Sequence, residues 1–184
     1  MRRGSTNWAV RLALWWRGTG PNTRLALGIG AVVLLWWLGL GRIEVAGVLL
    51  PWPVGLLLAA MGWARVGLAM RPMLALVSLS ILFDLGSNAP IGSYMIVALI
   101  TYGVHAAAES ALDLEHDPLM RSMLPFVSLF AGLMVLWVLA SASTGQLARL
   151  SSLVFSGMAT ALAFGLLAPL FHLRIRPGAR VGRA

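Results

Sequence analysis

The sequence contains no cysteine and no lysine, and only six of its 184 residues are acidic. The absence of cysteine excludes a disulfide framework, a thiolate nucleophile and a cysteine-based metal site. The few acids leave little material for a pair of catalytic carboxylates. Hydrophobic residues make up 59% of the chain and charged residues 11%, at a mean hydropathy of +0.86. This composition predicts a polytopic membrane protein.

Six apolar runs are each close to the roughly 20 residues that cross a bilayer, or somewhat shorter. Their predicted bounds are 25–41, 45–64, 72–85, 91–108, 123–139 and 150–171. Prolines at 51 and 53 interrupt the second run, so its regular helix is expected to start near Pro53. The third run has about 14 residues, or roughly 21 Å, so it must lean on its neighbours or extend back through Arg71, whose side chain then reaches the interface. We therefore predict an all-α bundle of six transmembrane helices.

All 14 basic residues are arginines, and most lie at the chain ends or between the apolar runs. If the N-terminus is cytoplasmic, twelve arginines fall on the inner side and only Arg42 and Arg149 on the outer side. Cytoplasmic loops collect basic residues, so this count predicts that both termini are cytoplasmic. The formal charge of +8 is explained by this orientation, and no nucleic-acid partner is expected.

This topology divides the chain into a basic N-terminal arm (1–24), a transmembrane domain (25–173) and a basic cytoplasmic tail (174–184). In the arm, Trp8, Leu12 and Trp15 share one face of a helix over residues 7–17. That pattern predicts a short interfacial helix held against anionic lipids. A disordered basic tail is the alternative for this segment.

Asp84 ends the third apolar run, and a turn of small residues with Pro90 and Gly92 opens the fourth. A carboxylate in a spanning segment is costly and usually has a partner or lines a pathway. One interpretation is a structural corner, in which Gly86 is a C-cap, Pro90 lies in the first helical turn and Asp84 binds nearby backbone N–H groups. The other is contact with a partner or a ligand.

The fourth run carries a polar stripe, whose members recur at spacings of seven, four and four residues: Tyr94, Thr101, His105 and Glu109. Lipid disfavours such a stripe, so it is expected to face the bundle interior, a cavity or another protein's helix. Interhelical hydrogen bonding is the favoured interpretation. A proton relay or metal pair of His105 and Glu109 is the alternative, although no third ligand is evident.

Two further patterns are expected to be structural. Gly157, Ala161 and Gly165 repeat every four residues in the sixth run. Small residues at this spacing let another helix approach closely, more readily within the bundle than from a second protein. Between the fourth and fifth runs, the acidic segment 109–117 is expected to be a solvated connector, with cation binding or a basic partner as the alternatives.

Residues 51–105 support a resemblance to a known family. They contain Arg71-Pro72, a run that ends in Ser80-Ile-Leu-Phe-Asp84-Leu, then Ser87-Asn-Ala-Pro90-Ile-Gly92 and a helix with Tyr102. This order resembles the rod shape-determining protein MreD family, which typically shows a short helix ending in Asp-Leu, a small polar turn, Pro-Leu-Gly and another helix. The sequence departs from that pattern mildly, with Ser80 in place of a frequent glycine and Ile91 in place of the usual leucine.

The resemblance implies a non-enzymatic subunit of the bacterial cell-elongation machinery in the cytoplasmic (inner) membrane. It implies an MreC-like membrane protein as the partner, with indirect links to MreB filaments, RodA and a class B penicillin-binding protein. Asp84, Pro90 and Gly92 match the family motif by position. No cofactor or metal is expected.

A substrate-binding subunit of an energy-coupling-factor vitamin transporter is the alternative, since it is also a small six-helix membrane protein. Asp84 and the polar stripe are then candidate ligands in a pocket that opens outward. Such a site needs several convergent polar and aromatic groups, in which the predicted outer loops are poor. An enzyme acting on lipids or glycans is disfavoured, because the outer side offers only Glu44 and Asp84 as carboxylates.

Overall fold

The computed structural model describes residues 19–40, 44–45, 48–49, 53–65, 69–87, 90–112, 118–145, 147 and 150–173. These residues form six helices: α1 (Pro21–Leu40), α2 (Gly55–Ala64), α3 (Met70–Gly86), α4 (Ser93–Ala111), α5 (Pro118–Thr144) and α6 (Leu150–Phe171). The predicted all-helical bundle is confirmed for this part of the chain. The predicted interfacial helix at 7–17, the tail at 174–184 and most of the acidic connector lie outside the described residues.

Three helices are long and apolar enough to cross a membrane: α1, residues Ser122–Ser143 of α5, and α6. They indicate a membrane protein. The helix α2 has only ten residues, about 15 Å at 1.5 Å each, or about half the hydrocarbon thickness. The helices α3 and α4 have 17 and 19 residues and are not among the three. The expectation of six spans with cytoplasmic termini therefore stays a prediction.

The first half of the second apolar run folds differently from the irregular helical turns that the sequence predicts. Two short strands, β1 (Glu44–Val45) and β2 (Val48–Leu49), pair antiparallel, with Glu44 opposite Leu49. Regular helix begins at Gly55, two residues after Pro53, as expected for a proline that ends extended chain and precedes a helix. The small ribbon is the only pair of strands among the described residues.

Helix ends differ from prediction mainly by lengthening. The helix α1 begins at Pro21, so the last four residues of the predicted arm belong to the bundle. Proline suits a first helical turn because the N–H that it lacks has no intrahelical acceptor there. The helix α5 runs from Pro118 to Thr144 rather than over 123–139, and α6 has the predicted bounds.

The core is centred on α2. All ten of its residues are buried, and it contacts each of the other five helices. Glycines permit the closest approaches: a Cβ at Gly62 would overlap Phe171 of α6, and a Cβ at Gly132 of α5 would overlap Thr101 of α4. The shortest helix is thus the most enclosed, because the longer helices surround it.

The bundle has two chemically different ends. At one end, Arg24 Nη1 donates to the His172 carbonyl (3.3 Å) and Arg71 Nη1 donates to Asn22 Oδ1 (3.0 Å). These contacts join the starts of α1 and α3 to the end of α6, and we call this the arginine end. At the other, which we call the corner end, α1 and α3 terminate and α4 begins.

Candidate functional site

Asp84, in the last turn of α3, is the centre of the corner end. Its side chain is only 4% exposed. Oδ2 accepts a hydrogen bond from the Gly92 backbone N–H (2.7 Å), and Oδ1 accepts one from the Tyr94 N–H (3.0 Å). Both groups belong to the start of α4, where N–H groups have no intrahelical acceptor and the helix dipole favours negative charge. The carboxylate therefore caps α4 from the neighbouring helix, as the corner interpretation expects.

Gly92 makes the turn into α4 possible. It is the N-cap residue, with φ +93° and ψ −9°, in the left-handed region that side chains with a Cβ disfavour. The Ser93 N–H closes the turn by donating to the Pro90 carbonyl (3.0 Å). Pro90 thus precedes the helix, and its predicted place in the first helical turn is wrong. The proline contributes a turn acceptor and a fixed φ instead.

The end of α3 also differs in detail from the predicted cap. Gly86 is the last helical residue rather than the C-cap, and Ser87 takes the C-cap position. The Ser87 N–H (2.9 Å) and its hydroxyl (2.7 Å) both donate to the Phe83 carbonyl. Gly86 is required for space, because a Cβ there would overlap the indole of Trp36. Close contact with α1, and not an unusual φ, explains this glycine.

Three aromatic rings pack against one another at the corner. Trp36 and Phe83 have centroids 5.3 Å apart, and Phe83 meets Tyr94 edge to face at 5.7 Å. Such pairs add about 0.5–1.5 kcal/mol each beyond the area that they bury. The apolar side chains of Leu85 and Ile91 flank the corner and are 73% and 85% exposed. A rigid turn therefore presents two apolar side chains outward.

Two members of the polar stripe, Thr101 and His105, are fully buried between α4 and its neighbours. His105 Nδ1 lies 2.9 Å from Ser128 Oγ on α5. Because the Ser128 hydroxyl donates to the Leu124 carbonyl (2.9 Å), we assign the Nδ1 hydrogen to His105. The favoured interpretation, interhelical hydrogen bonding, is confirmed for Nδ1 of His105, whereas the buried Nε2 of the same ring has no hydrogen-bond partner among the described residues. Thr101 instead bonds within α4, donating to the Val97 carbonyl (2.8 Å).

The other two members of the stripe, Tyr94 and Glu109, are half-buried at opposite ends of α4. Tyr94 belongs to the corner, whereas Glu109 lies one turn beyond His105. Within the described ranges, no three His, Asp or Glu side chains come close enough to hold a metal ion. The stripe therefore has one member near each end of α4 and two buried members between them, and it does not gather into one pocket.

Two capping contacts were not predicted from the sequence. The Val54 N–H, at the start of α2, donates to Thr160 Oγ1 of α6 (2.9 Å). The Ala69 N–H, at the start of α3, donates to the Tyr102 hydroxyl of α4 (2.9 Å). Asp84 of α3 caps α4 in the same way. The helices α2, α3 and α4 therefore each start with a backbone N–H that donates to a side chain from another helix. A lone threonine in an apolar run was the available signal for Thr160, but its partner is 106 residues away.

The small residues of α6 have different surroundings. Gly157 is buried, and a Cβ there would lie 2.6 Å from Leu133 Cδ1 on α5. This contact agrees with predicted packing inside the bundle. Ala161 is half-buried, whereas Gly165 is exposed and has no atom within 4 Å of its Cβ position. Gly165 instead lines a cavity between α2, α5 and α6.

Comparison with known proteins gives no identification. The chain matches no protein-family model, no curated protein and no solved structure. A functional proposal must therefore depend on the geometry of the corner, the distribution of charge and the sequence resemblance.

Proposed function

We propose that the protein is a non-enzymatic inner-membrane subunit of the bacterial cell-elongation complex, of the kind that its resemblance to MreD implies. The observation that carries the proposal is the Asp84 corner. The residues that match the family motif, Asp84, Pro90 and Gly92, act together in one turn: the first caps α4, the second closes the turn and the third supplies its left-handed conformation. A shared structural role for all three gives the motif a physical reason.

In this proposal the chain crosses the inner membrane six times, with both termini in the cytoplasm. The distribution of charge supports that orientation: Arg24, Arg65 and Arg71 lie toward one end of the bundle and Asp84 lies at the other. Basic residues accumulate on the cytoplasmic side. The arginine end is then cytoplasmic, and the corner end faces the periplasm. The short helices α2 and α3 rely on the longer helices around them.

The corner is proposed to be the docking surface for the transmembrane helix of an MreC-like partner, where that helix emerges into the periplasm. Leu85 and Ile91 supply exposed apolar contacts, and Asp84 fixes the backbone that carries them. Through this partner the protein helps to couple MreB filaments to RodA and its class B penicillin-binding protein. The protein contributes shape and contact area to the complex, and its partners carry out the synthesis.

The vitamin-transporter alternative finds less support. Both oxygens of Asp84 already accept backbone hydrogen bonds, and His105 is enclosed in the contact with α5, so neither converges on an outward pocket. The cavity beside Gly165 lies toward the arginine end. These placements favour a contact surface over a binding pocket at the corner end.

The test is capture of the MreC-like protein from the same organism by tagged full-length chain in mild detergent. A Leu85→Ala, Ile91→Ala double variant should capture roughly thirtyfold less partner, because each of the two lost apolar contacts is worth about 1 kcal/mol. The control, Leu74→Ala, alters an exposed residue of α3 away from the corner and should leave capture unchanged. Unchanged capture by the double variant, with nanomolar vitamin binding by the chain, would replace the proposal with the transporter function.

A further inference from the structure

A groove of about 270 Å³ lies between α5 and α6, beside the end of α2. Its walls are mostly apolar, with Phe126, Phe164 and Gly165 among them. The polar groups on its lining are the side chains of Arg65 and Ser122. The groove is at the lower edge of the roughly 300–1,000 Å³ typical of sites for drug-sized ligands, which suits a slender apolar ligand better than a bulky polar one.

Two glycines of α6 show where α5 packs closely against α6 and where the groove lies. At Gly157 the helices touch closely, because a Cβ there would meet Leu133. At Gly165, about 12 Å further along α6, nothing lies within 4 Å of the corresponding position. The open space beside Gly165 is part of the groove, and the lack of a side chain at this glycine helps to keep the groove open.

Exposed apolar side chains lie on the groove wall and next to it. Phe126 is on the wall, and Leu162 and Leu166 each follow a lining residue of α6 in the sequence; all three side chains are largely exposed. They belong to the two helices α5 and α6, which are each long and apolar enough to cross a membrane. In a bilayer these residues contact acyl chains, so a lipid tail enters the groove without crossing a polar barrier.

Positive charge lies on the lining of the groove, where α2 ends. The Arg65 guanidinium lies over the Phe164 ring, 5.8 Å from its centroid, so the cation is held against the apolar wall. Arg24 and Arg71 lie toward the same end of the bundle. Among the charged side chains that the structure describes at this end, the three arginines outnumber the half-buried Glu109. Such a field is complementary to a phosphate group.

We propose that this groove binds an anionic phospholipid, with one acyl chain between α5 and α6 and the headgroup phosphate beside Arg65. The assignment of that lipid to the inner leaflet rests on the proposed topology, because anionic lipids are abundant on the cytoplasmic side. The lipid site itself does not depend on the proposed role in cell elongation. It requires only the cavity, the exposed apolar side chains beside it and its cation.

Native mass spectrometry of the purified full-length chain tests the site, with phosphatidylglycerol and phosphatidylcholine added separately. The unaltered protein should retain one phosphatidylglycerol in preference to phosphatidylcholine. Gly165→Leu fills the groove and should lower retention of both lipids. Gly30→Leu is the matched control, since Gly30 is an exposed helical glycine of α1 that also has nothing within 4 Å. Ser122→Leu fills the same groove from an exposed position on α5 if the first variant folds poorly.

The charge is tested separately. Arg65→Gln should remove the preference for phosphatidylglycerol, roughly a tenfold change if one charge-assisted contact of about 1.4 kcal/mol is lost. Arg71→Gln changes an exposed arginine of the same end that does not line the groove, so it should lower the preference much less than Arg65→Gln does. Equal lipid retention by all variants would overturn the site. Competition by inorganic phosphate alone would reduce the site to an anion site without a bound chain, and equal loss in Arg71→Gln would assign the effect to general charge.

Discussion

At the scale of single residues, the two oxygens of Asp84 have separate tasks. Oδ1 accepts from the Tyr94 N–H and Oδ2 accepts from the Gly92 N–H, and the Asp84 side chain itself is buried. A carboxylate that accepts a single hydrogen bond can be replaced by an amide with little effect, because an amide oxygen still accepts. At Asp84 the geometry argues otherwise, since an asparagine has one oxygen and its NH₂ group cannot accept from the second N–H.

Asp84→Asn should therefore destabilise the protein by about 1 kcal/mol or more, because one of two partly buried N–H groups loses its acceptor. The measurement is the unfolding midpoint of the purified chain in mild detergent. Ser78→Ala is the control, because that exposed hydroxyl only bonds to the Leu74 carbonyl of its own helix. Unchanged stability together with lost partner capture would assign Asp84 to a charged contact instead.

Gly92 provides a second test at this scale. Gly92→Ala places a Cβ at φ +93° and should cost about 1–2 kcal/mol, with less folded protein in the membrane. Gly103→Ala is a matched control in the same helix, since Gly103 also has nothing within 4 Å but has no positive φ. That control should be neutral or stabilising by roughly 0.5–1 kcal/mol, because alanine favours helix. Equal effects of the two changes would mean that backbone conformation at Gly92 is unimportant.

At the scale of elements, α2 shows what the sequence can and cannot predict. The prolines placed its start to within two residues, because proline restricts the chain wherever it occurs. Its complete burial was not predictable, since leucine, alanine and methionine suit lipid and a protein core equally well. The β1–β2 ribbon was missed for the same reason: valine and leucine before a proline carry no periodicity that separates strand from helix.

Capping between helices is likewise hidden from the sequence. Local capping rules search the few residues around a helix start, whereas Thr160 reaches Val54 from another helix. The corner was partly predictable, because Asp84 and Gly92 are close in sequence and the types of residue suggest a turn. Two details required the three-dimensional structure. They are the N–H groups that the carboxylate binds and the position of Pro90 outside the helix.

Thr160→Val tests the capping of α2. Valine keeps the shape but removes the oxygen that accepts from the Val54 N–H, and the fully buried site should lose about 1–3 kcal/mol of stability. Thermal unfolding in detergent measures the change. Ser151→Ala, at an exposed position on the same helix, should have little effect. Equal melting of Thr160→Val and the unaltered protein would show that another acceptor satisfies that N–H.

At the scale of the whole molecule, the absence of cysteine makes the proposed topology directly measurable. A single cysteine introduced by substitution is therefore the sole thiol in the chain. Ile91→Cys at the corner end should react with a membrane-impermeant maleimide on intact spheroplasts. Gly20→Cys, exposed just before α1, should react only after the membrane is permeabilised. The reverse pattern would place the arginine end outside and contradict the orientation.

The central claim is that the Asp84 corner is a docking surface, and site-specific crosslinking in native membranes tests it most directly. A photoreactive amino acid at position 91 should crosslink to the MreC-like partner, because Ile91 is 85% exposed on a turn that Asp84 and Gly92 hold rigid. The same group at position 74, exposed on α3 away from the corner, should not crosslink to the partner. Partner adducts at position 74 but not at position 91 would contradict the account.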